Sequence, residues 1–217
     1  MMMNLFNIFD PSTMILNLSL NWMSTLMIIM MLPNFLWMMP NRISMILNLI
    51  MKFMNKEILM LYKMKHTKSP SFIFMSLFIF ILLNNFISLF PYVFSSSSHM
   101  IFSLSLALPF WLFFIILSII KNTKQMIAHL IPLNTPILLA PFMSIIESVS
   151  IMIRPLSLAI RLTANLIAGH LLMTLLNFNS MMIIILLIQM FMMIFELCVA
   201  LIQSYVFSIL TSLYSSE

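Results

Sequence analysis

Residues 141–176 run on without a long polar break, and residues 181–213 do the same after a short hinge at Asn177-Phe178-Asn179-Ser180. At 1.5 Å per residue the first run makes a helix of roughly 54 Å, against a hydrocarbon core of about 30 Å. A helix of that length has to tilt strongly or bend. Pro155 supplies a bend, because it cannot donate to the carbonyl of Ile151. Composition closes the soluble alternative. Hydrophobic residues make up 63% of the 217 and charged residues 7%, where a soluble chain carries roughly 25% charged residues. A single glycine and long uninterrupted runs favour helices over a barrel, whose strands alternate and turn often.

The pattern predicts an all-α integral membrane protein forming one membrane domain over 1–217. A first span covers 14–32, bounded by Pro11 and Pro33. An interfacial, matrix-side amphipathic segment follows over 34–68, with Ile43, Ile46, Leu47 and Ile50 at helical spacing. A two-span hairpin occupies 70–120, and its loop carries Ser95-Ser96-Ser97-Ser98, read as a solvated turn. Two long, strongly tilted helices, 135–176 and 181–214, complete the chain.

Charge sets the orientation. Arg42, Lys52, Lys56, Lys63, Lys65 and Lys68 fall in one segment, and Lys121 and Lys124 in another. Odd numbers of crossings precede both, so they share a side. The positive-inside rule makes it the matrix, or a bacterial cytoplasm, and puts the N-terminus opposite. This placement reads as topology and not as a nucleic-acid face. Cys198 cannot form a disulfide within the chain and is expected to be a small buried residue. The N-terminus has neither a basic signal-peptide region nor an Arg-rich transit pattern. Twenty-six methionines exceed what selection for apolarity would single out. Both features suit synthesis inside an organelle.

Arg154 and Arg161, the remaining basic residues, sit deep in apolar sequence. Glu147, Arg154 and Arg161 recur every seven residues, with Asn165 one turn further, so they share one helix stripe. Gln189, Glu196 and Gln203 repeat the spacing on the second long helix. His170, nine residues after Arg161, points to nearly the opposite face. A central arginine costs about 2.5–3.5 kcal/mol on insertion scales, and intramembrane ionisable residues default to ion pathways. Locking the hairpin is the structural alternative, strongest for Arg154, which could neutralise Glu147. Ala164 and Ala168 fit ordinary helix packing or the close passage of another helix equally well.

The stretch Ile153-Arg154-Pro155-Leu156-Ser157-Leu158-Ala159-Ile160-Arg161-Leu162-Thr163-Ala164-Asn165-Leu166-Ile167-Ala168-Gly169-His170 closely resembles the signature helix of the F-type ATP synthase subunit a family. Glu196-Leu197-Cys198-Val199-Ala200-Leu201-Ile202-Gln203 resembles its C-terminal signature. The two chain ends are similar to arthropod mitochondrial members, and a histidine after Gly169 is a mitochondrial trait. Leu133-Asn134-Thr135-Pro136 departs from the Gln-Gly-Thr-Pro of many relatives. The resemblance implies a proton-translocating, non-catalytic subunit without cofactor in the mitochondrial inner membrane. Its N-terminus would lie in the intermembrane space and its C-terminus in the matrix. It would contact a ring of c subunits, the peripheral stalk and other membrane-sector subunits. Arg161 would face the ring, flanked by Asn165 and Gln203. His170 and Glu196 would serve a half-channel from the intermembrane space and Glu147 one to the matrix, with Glu217 at the matrix exit. Leu158 and Leu162, beside Arg161, would be the positions from which to cross-link to the ring.

Two other classes fit less well. An antiporter commonly shows repeated halves, whereas both polar seams here lie at the C-terminal end. An intramembrane hydrolase would need a glycine-flanked nucleophile, and Gly169 is the only glycine.

Overall fold

The computed structural model describes residues 7–13, 18–31, 41–61, 69–90, 93–131, 136, 138–178 and 183–216. These residues form helices and connecting turns, with no strand among them. Six α-helices follow in order: α1 Met23–Met31, α2 Arg42–Leu61, α3 Ser69–Ser88, α4 Met100–His129, α5 Ala140–Phe178 and α6 Ile183–Ser216. Those from α3 onward contain stretches long and apolar enough to cross a membrane, at Ser71–Ser88, Met100–Ile120, Ala140–Leu176 and Ile185–Ser215. With 39 and 34 residues, α5 and α6 are roughly 58 and 51 Å long. Helix α5 continues through Pro155, which is buried.

Two apolar clusters hold the helices together. Leu77 and Ile81 of α3, Ala107 of α4, Leu158, Ala159 and Leu162 of α5 and Phe207 of α6 form one. Met54 and Ile58 of α2 pack on Phe74, Met75 and Phe78 of α3 in the other. In lipid such contacts gain little from leaving the solvent, because the acyl chains are equally apolar. Close packing has to supply the attraction. Helix α6 accordingly presents Ala200, Ser204, Ser208 and Ser212, all buried, at four-residue spacing. Their small size lets the neighbouring backbones approach, and α6 packs most extensively on α3. Each of the three hydroxyls donates to the carbonyl three residues back, at 2.8–2.9 Å, so no polar atom is stranded.

Helix α2 packs against both α3 and α6, tied additionally by Tyr205 of α6, whose hydroxyl donates to Glu57 Oε2 at 2.8 Å. Its outward face carries Ile46, Leu49, Phe53 and Met60 together with Lys52 and Lys56. A face of that mixture suits the boundary between acyl chains and headgroups, where lysine stems lie along apolar surface and the ammonium groups reach water.

Two expectations are corrected at the N-terminal side. A continuous helix over 14–32 does not form, since Leu18 and Ser19 are non-helical and a 3-10 turn beginning at Leu20 leads into α1. Thr13 donates from both its backbone N–H and its hydroxyl to Leu18 O at 2.8 Å, and Asn21 Nδ2 donates to Asp10 O at 3.1 Å. Such local bonds compete with the helical pattern. The serine loop is likewise not a solvated turn. Ser95, Ser96, Ser97 and Ser98 are all buried. A 3-10 turn over Ser96–Ser98 folds the loop back onto α3, α4 and α5. Ser96 Oγ donates to Asn84 Oδ1 at 3.2 Å, Ser98 Oγ donates to Ser95 O at 2.7 Å, and the Ser95 and Ser98 hydroxyls lie 2.9 Å apart. Serine is small and can satisfy its own hydroxyl locally, which allows it inside. Residues 1–6, 14–17, 32–40, 62–68, 91–92, 132–135, 137, 179–182 and 217 lie outside the described residues. With them go the expectations for Lys63, Lys65, Lys68, Leu133-Asn134-Thr135, the rest of the hinge and Glu217.

Candidate functional site

The polar residues of α5 and α6 fall into three places along the helices. At the N-terminal end of α5, Arg154 Nη2 lies 3.9 Å from Glu147 Oε1. The guanidinium also sits over the ring of Tyr214, 5.3 Å from its centroid. Seven residues apart on one helix, Glu147 and Arg154 meet because two turns return to nearly the same angle. Tyr214 joins them because α6 runs back along α5 and delivers its last turn there. The heptad spacing reveals the ion pair, but nothing in the sequence reveals the tyrosine.

Two turns further along α5, Arg161 is exposed and has no ion pair or hydrogen bond among the described residues. Its flank is equally informative. Ala164, Asn165 and Ala168 are exposed on the same side, whereas Leu158, Ala159, Leu162, Thr163 and Leu166 are buried against the rest of the chain. The small residues therefore do not serve packing within this chain. They leave a shallow strip on the outside, with a guanidinium and an amide along it. Leu158 and Leu162 are thus the wrong positions for a cross-link to a neighbour, since both face the core. Cys198 is also corrected. It is exposed, among the outward-facing Ile194, Phe195, Leu201 and Ile202 of α6.

The third place lies toward the C-terminal end of α5. The half-buried His170 ring meets Phe9 edge-on, with centroids 6.2 Å apart, and interacts with the backbone of Ser88. Glu196 of α6 lies against the preceding residue, Gly169. A Cβ placed on Gly169 would lie 2.9 Å from both Cδ and Oε1 of Glu196. The only glycine of the sequence thus marks the point where a carboxylate presses onto the neighbouring helix, one residue before His170. His170 Nε2 and Glu196 Oε1 are buried without a hydrogen-bond partner among the described residues. The same holds for both amide atoms of Gln203, which is 5% exposed. Gln203 follows Glu196 by two turns on the same face of α6, which displaces it roughly 10 Å along the axis.

Sequence periodicity singles out Glu147, Arg161, Asn165, Glu196 and Gln203, the resemblance adds His170, and the structure divides them. Glu196 lies against Gly169, one residue before His170, Glu147 is paired with Arg154 at the far end, and Arg161 with Asn165 stands outside between them. Gln203 is buried while Arg161 is exposed, and no hydrogen bond joins the two. Arg161 and the Glu147–Arg154 pair share one helix face but not one environment.

The family model described as "ATP synthase A chain" matches residues 3–216. The "ATP synthase F(0) complex subunit a" of Rhopalosiphum padi is 76% identical over 214 residues, covering 99% of both chains. The "ATP synthase subunit a" of Aedes aegypti is 49% identical over 224 residues, and that of Drosophila melanogaster 48% over 223. Each of these covers 100% of this chain and 99% of the relative.

Proposed function

This chain belongs to the ATP synthase A chain family, and from that premise we propose that Arg161 faces a rotating ring of c subunits and separates two offset proton half-channels. As a member, it is a non-catalytic, proton-translocating subunit of the membrane sector. The observation that carries the finer reading is the exposed guanidinium, unpaired among the described residues, beside the small-residue strip of Ala164 and Ala168. An arginine left facing acyl chains is costly, on the order of 2.5–3.5 kcal/mol or more. The strip gives room for a helix of another subunit to approach and supply the missing anion.

The chemistry follows from the electrostatics. A continuous proton wire would discharge the gradient without work, so the two access paths have to be joined by a moving carrier. A ring carboxylate crosses lipid only when protonated, because an unpaired anion there is very unfavourable. Opposite Arg161 it can ionise. At an effective dielectric near 20 and a separation of 4 Å the attraction is about 4 kcal/mol. Arginine suits this place better than lysine, because it keeps its proton and cannot become a link in a short circuit.

On this reading His170 and Glu196 exchange protons with the intermembrane space, and Glu147 with the matrix, Arg154 and Tyr214 holding it in place. Asn165 and Gln203 flank the route to the ring. The strong tilt of α5 and α6 lets them follow the ring wall. The N-terminus lies in the intermembrane space and the C-terminus in the matrix of a mitochondrial inner membrane, beside the peripheral stalk and other membrane-sector subunits. Each charge moved down 100 mV supplies about 2.3 kcal/mol to rotation.

Cysteine cross-linking in the assembled complex, with Cys198 replaced by Ser, tests the ring contact. Cysteine at position 164 or 168 is expected to form a disulfide with a ring subunit carrying a cysteine beside its carboxylate. Cysteine at 158 or 162 is expected not to. The reverse pattern overturns the reading.

A further inference from the structure

The N-terminal arm, residues 7–13, folds back onto the helix bundle. A 3-10 turn over Asn7–Phe9 stops at Asp10, where Pro11 disfavours the helical conformation for the residue before it. Hydrogen bonds then fix the course of the arm. Thr13 donates its backbone N–H and its hydroxyl to Leu18 O, both at 2.8 Å, and Asn21 Nδ2 donates to Asp10 O at 3.1 Å. Trp22, next to Asn21, rests against Phe94 with centroids 5.6 Å apart and against His99 at 5.4 Å. The base of the arm is thus anchored on the loop between α3 and α4, while its tip reaches α5.

What the tip meets there is His170. The half-buried Phe9 ring lies 6.2 Å from the imidazole, centroid to centroid, with the two planes at 83°. The imidazole also touches the backbone of Ser88. Its Nε2 is buried without a hydrogen-bond partner among the described residues, so the Ser88 contact falls to Nδ1. An imidazole relays a proton only when the right nitrogen faces the route, and the two nitrogens exchange places when the ring flips about χ2. A backbone contact on one nitrogen and an aromatic ring against the imidazole together restrict that flip. Phenylalanine has neither a side-chain donor nor an acceptor, so it can hold the ring without competing for its proton.

We propose that Phe9 is a positioning residue for proton entry: the folded-back arm lays its ring against the His170 imidazole and holds Nε2 in the orientation that accepts the proton and passes it on. The proposal rests on the half-channel reading of His170 above and adds to it a residue outside α5 and α6. Aromatic pairs favour offset or edge-to-face arrangements with centroids about 4.5–7 Å apart, and this contact falls within both preferences. That preference is directional, whereas an aliphatic side chain packs against a ring with little regard to its orientation. The phenyl ring is also neutral, so the imidazole can gain and lose its charge beside it without breaking an ion pair.

The test is ATP synthesis by the whole complex in proteoliposomes, driven by an imposed proton gradient. Phe9→Ala is expected to lower the rate about fivefold with assembly intact. Phe9→Tyr, which keeps the ring, is expected to stay within about twofold of normal. Phe9→Leu, which keeps apolar volume and loses the ring, is expected to remain about threefold slow. A normal rate in Phe9→Leu reduces Phe9 to packing and overturns the proposal. In a His170→Ala background, Phe9→Ala is expected to change nothing further, because the group it positions is gone. The same loss in both backgrounds overturns the proposal too. If Phe9→Ala works within about twofold of normal while His170→Ala is slow, the positioning role is wrong and the half-channel stands. Normal rates in both remove the half-channel reading as well. Should Phe9→Ala fail to assemble, or His170→Ala be too slow to lose more, the contrast between Phe9→Tyr and Phe9→Leu decides.

Discussion

Arg154 and Arg161 lie on the same face of the same helix, two turns apart, and the structure treats them in opposite ways. Arg154 is half-buried beside Glu147 and over Tyr214. Arg161 is exposed beside Ala164 and Ala168, with no partner among the described residues. The lesson is that an intramembrane arginine acquires its role from what its own chain leaves undone. Where the chain supplies the anion and an aromatic face, the arginine fastens two helices. Where it supplies neither, the charge is held available for a neighbour.

The sharpest way to break this comparison is to remove each arginine in turn. Arg161→Ala is expected to abolish proton-driven ATP synthesis, because the lost attraction of about 4 kcal/mol corresponds to roughly a thousandfold. Assembly, checked by native electrophoresis, should remain. Coupled synthesis at a normal rate in that variant would remove the distinction altogether. The second-largest effect is expected at the meeting point of α5 and α6. Gly169→Ala places a methyl group 2.9 Å from the Glu196 carboxylate, which a flexible side chain can escape only by leaving its position against α5. ATP synthesis in inverted membranes should fall about tenfold with assembly intact.

Arg154→Gln is expected to lower synthesis by only about threefold, since a partly exposed ion pair contributes about 0.2–1 kcal/mol. A loss as large as that of Arg161→Ala would erase the contrast. The smallest effect on turnover should come from Tyr205→Phe, which removes the bond to Glu57 without touching either arginine. Hydrogen bonds to charged groups contribute about 1.5–3 kcal/mol, so the complex should unfold at lower temperature while turnover is kept.

The expectation for the serine loop failed for a physical reason. A polar run between two apolar spans reads as solvent-exposed. Ser95 and Ser98 satisfy one another, and Ser96 bonds Asn84, inside the bundle instead. Gly169 is a different case. Its singularity in the sequence was visible, but the carboxylate that presses on it comes from α6, beyond the reach of any local spacing.

Composition and helical periodicity alone determined that this chain is a helical membrane protein and that Glu147, Arg154 and Arg161 share one stripe. Both conclusions rest on forces acting within a single helix or between a helix and its solvent. Tertiary structure decided which side of each stripe turns inward, so that Leu158 and Leu162 are covered while Ala164, Ala168 and Cys198 are not. In water, apolarity would have pointed the way in. In lipid the surroundings are as apolar as the core, and only the shape of neighbouring helices distinguishes the faces.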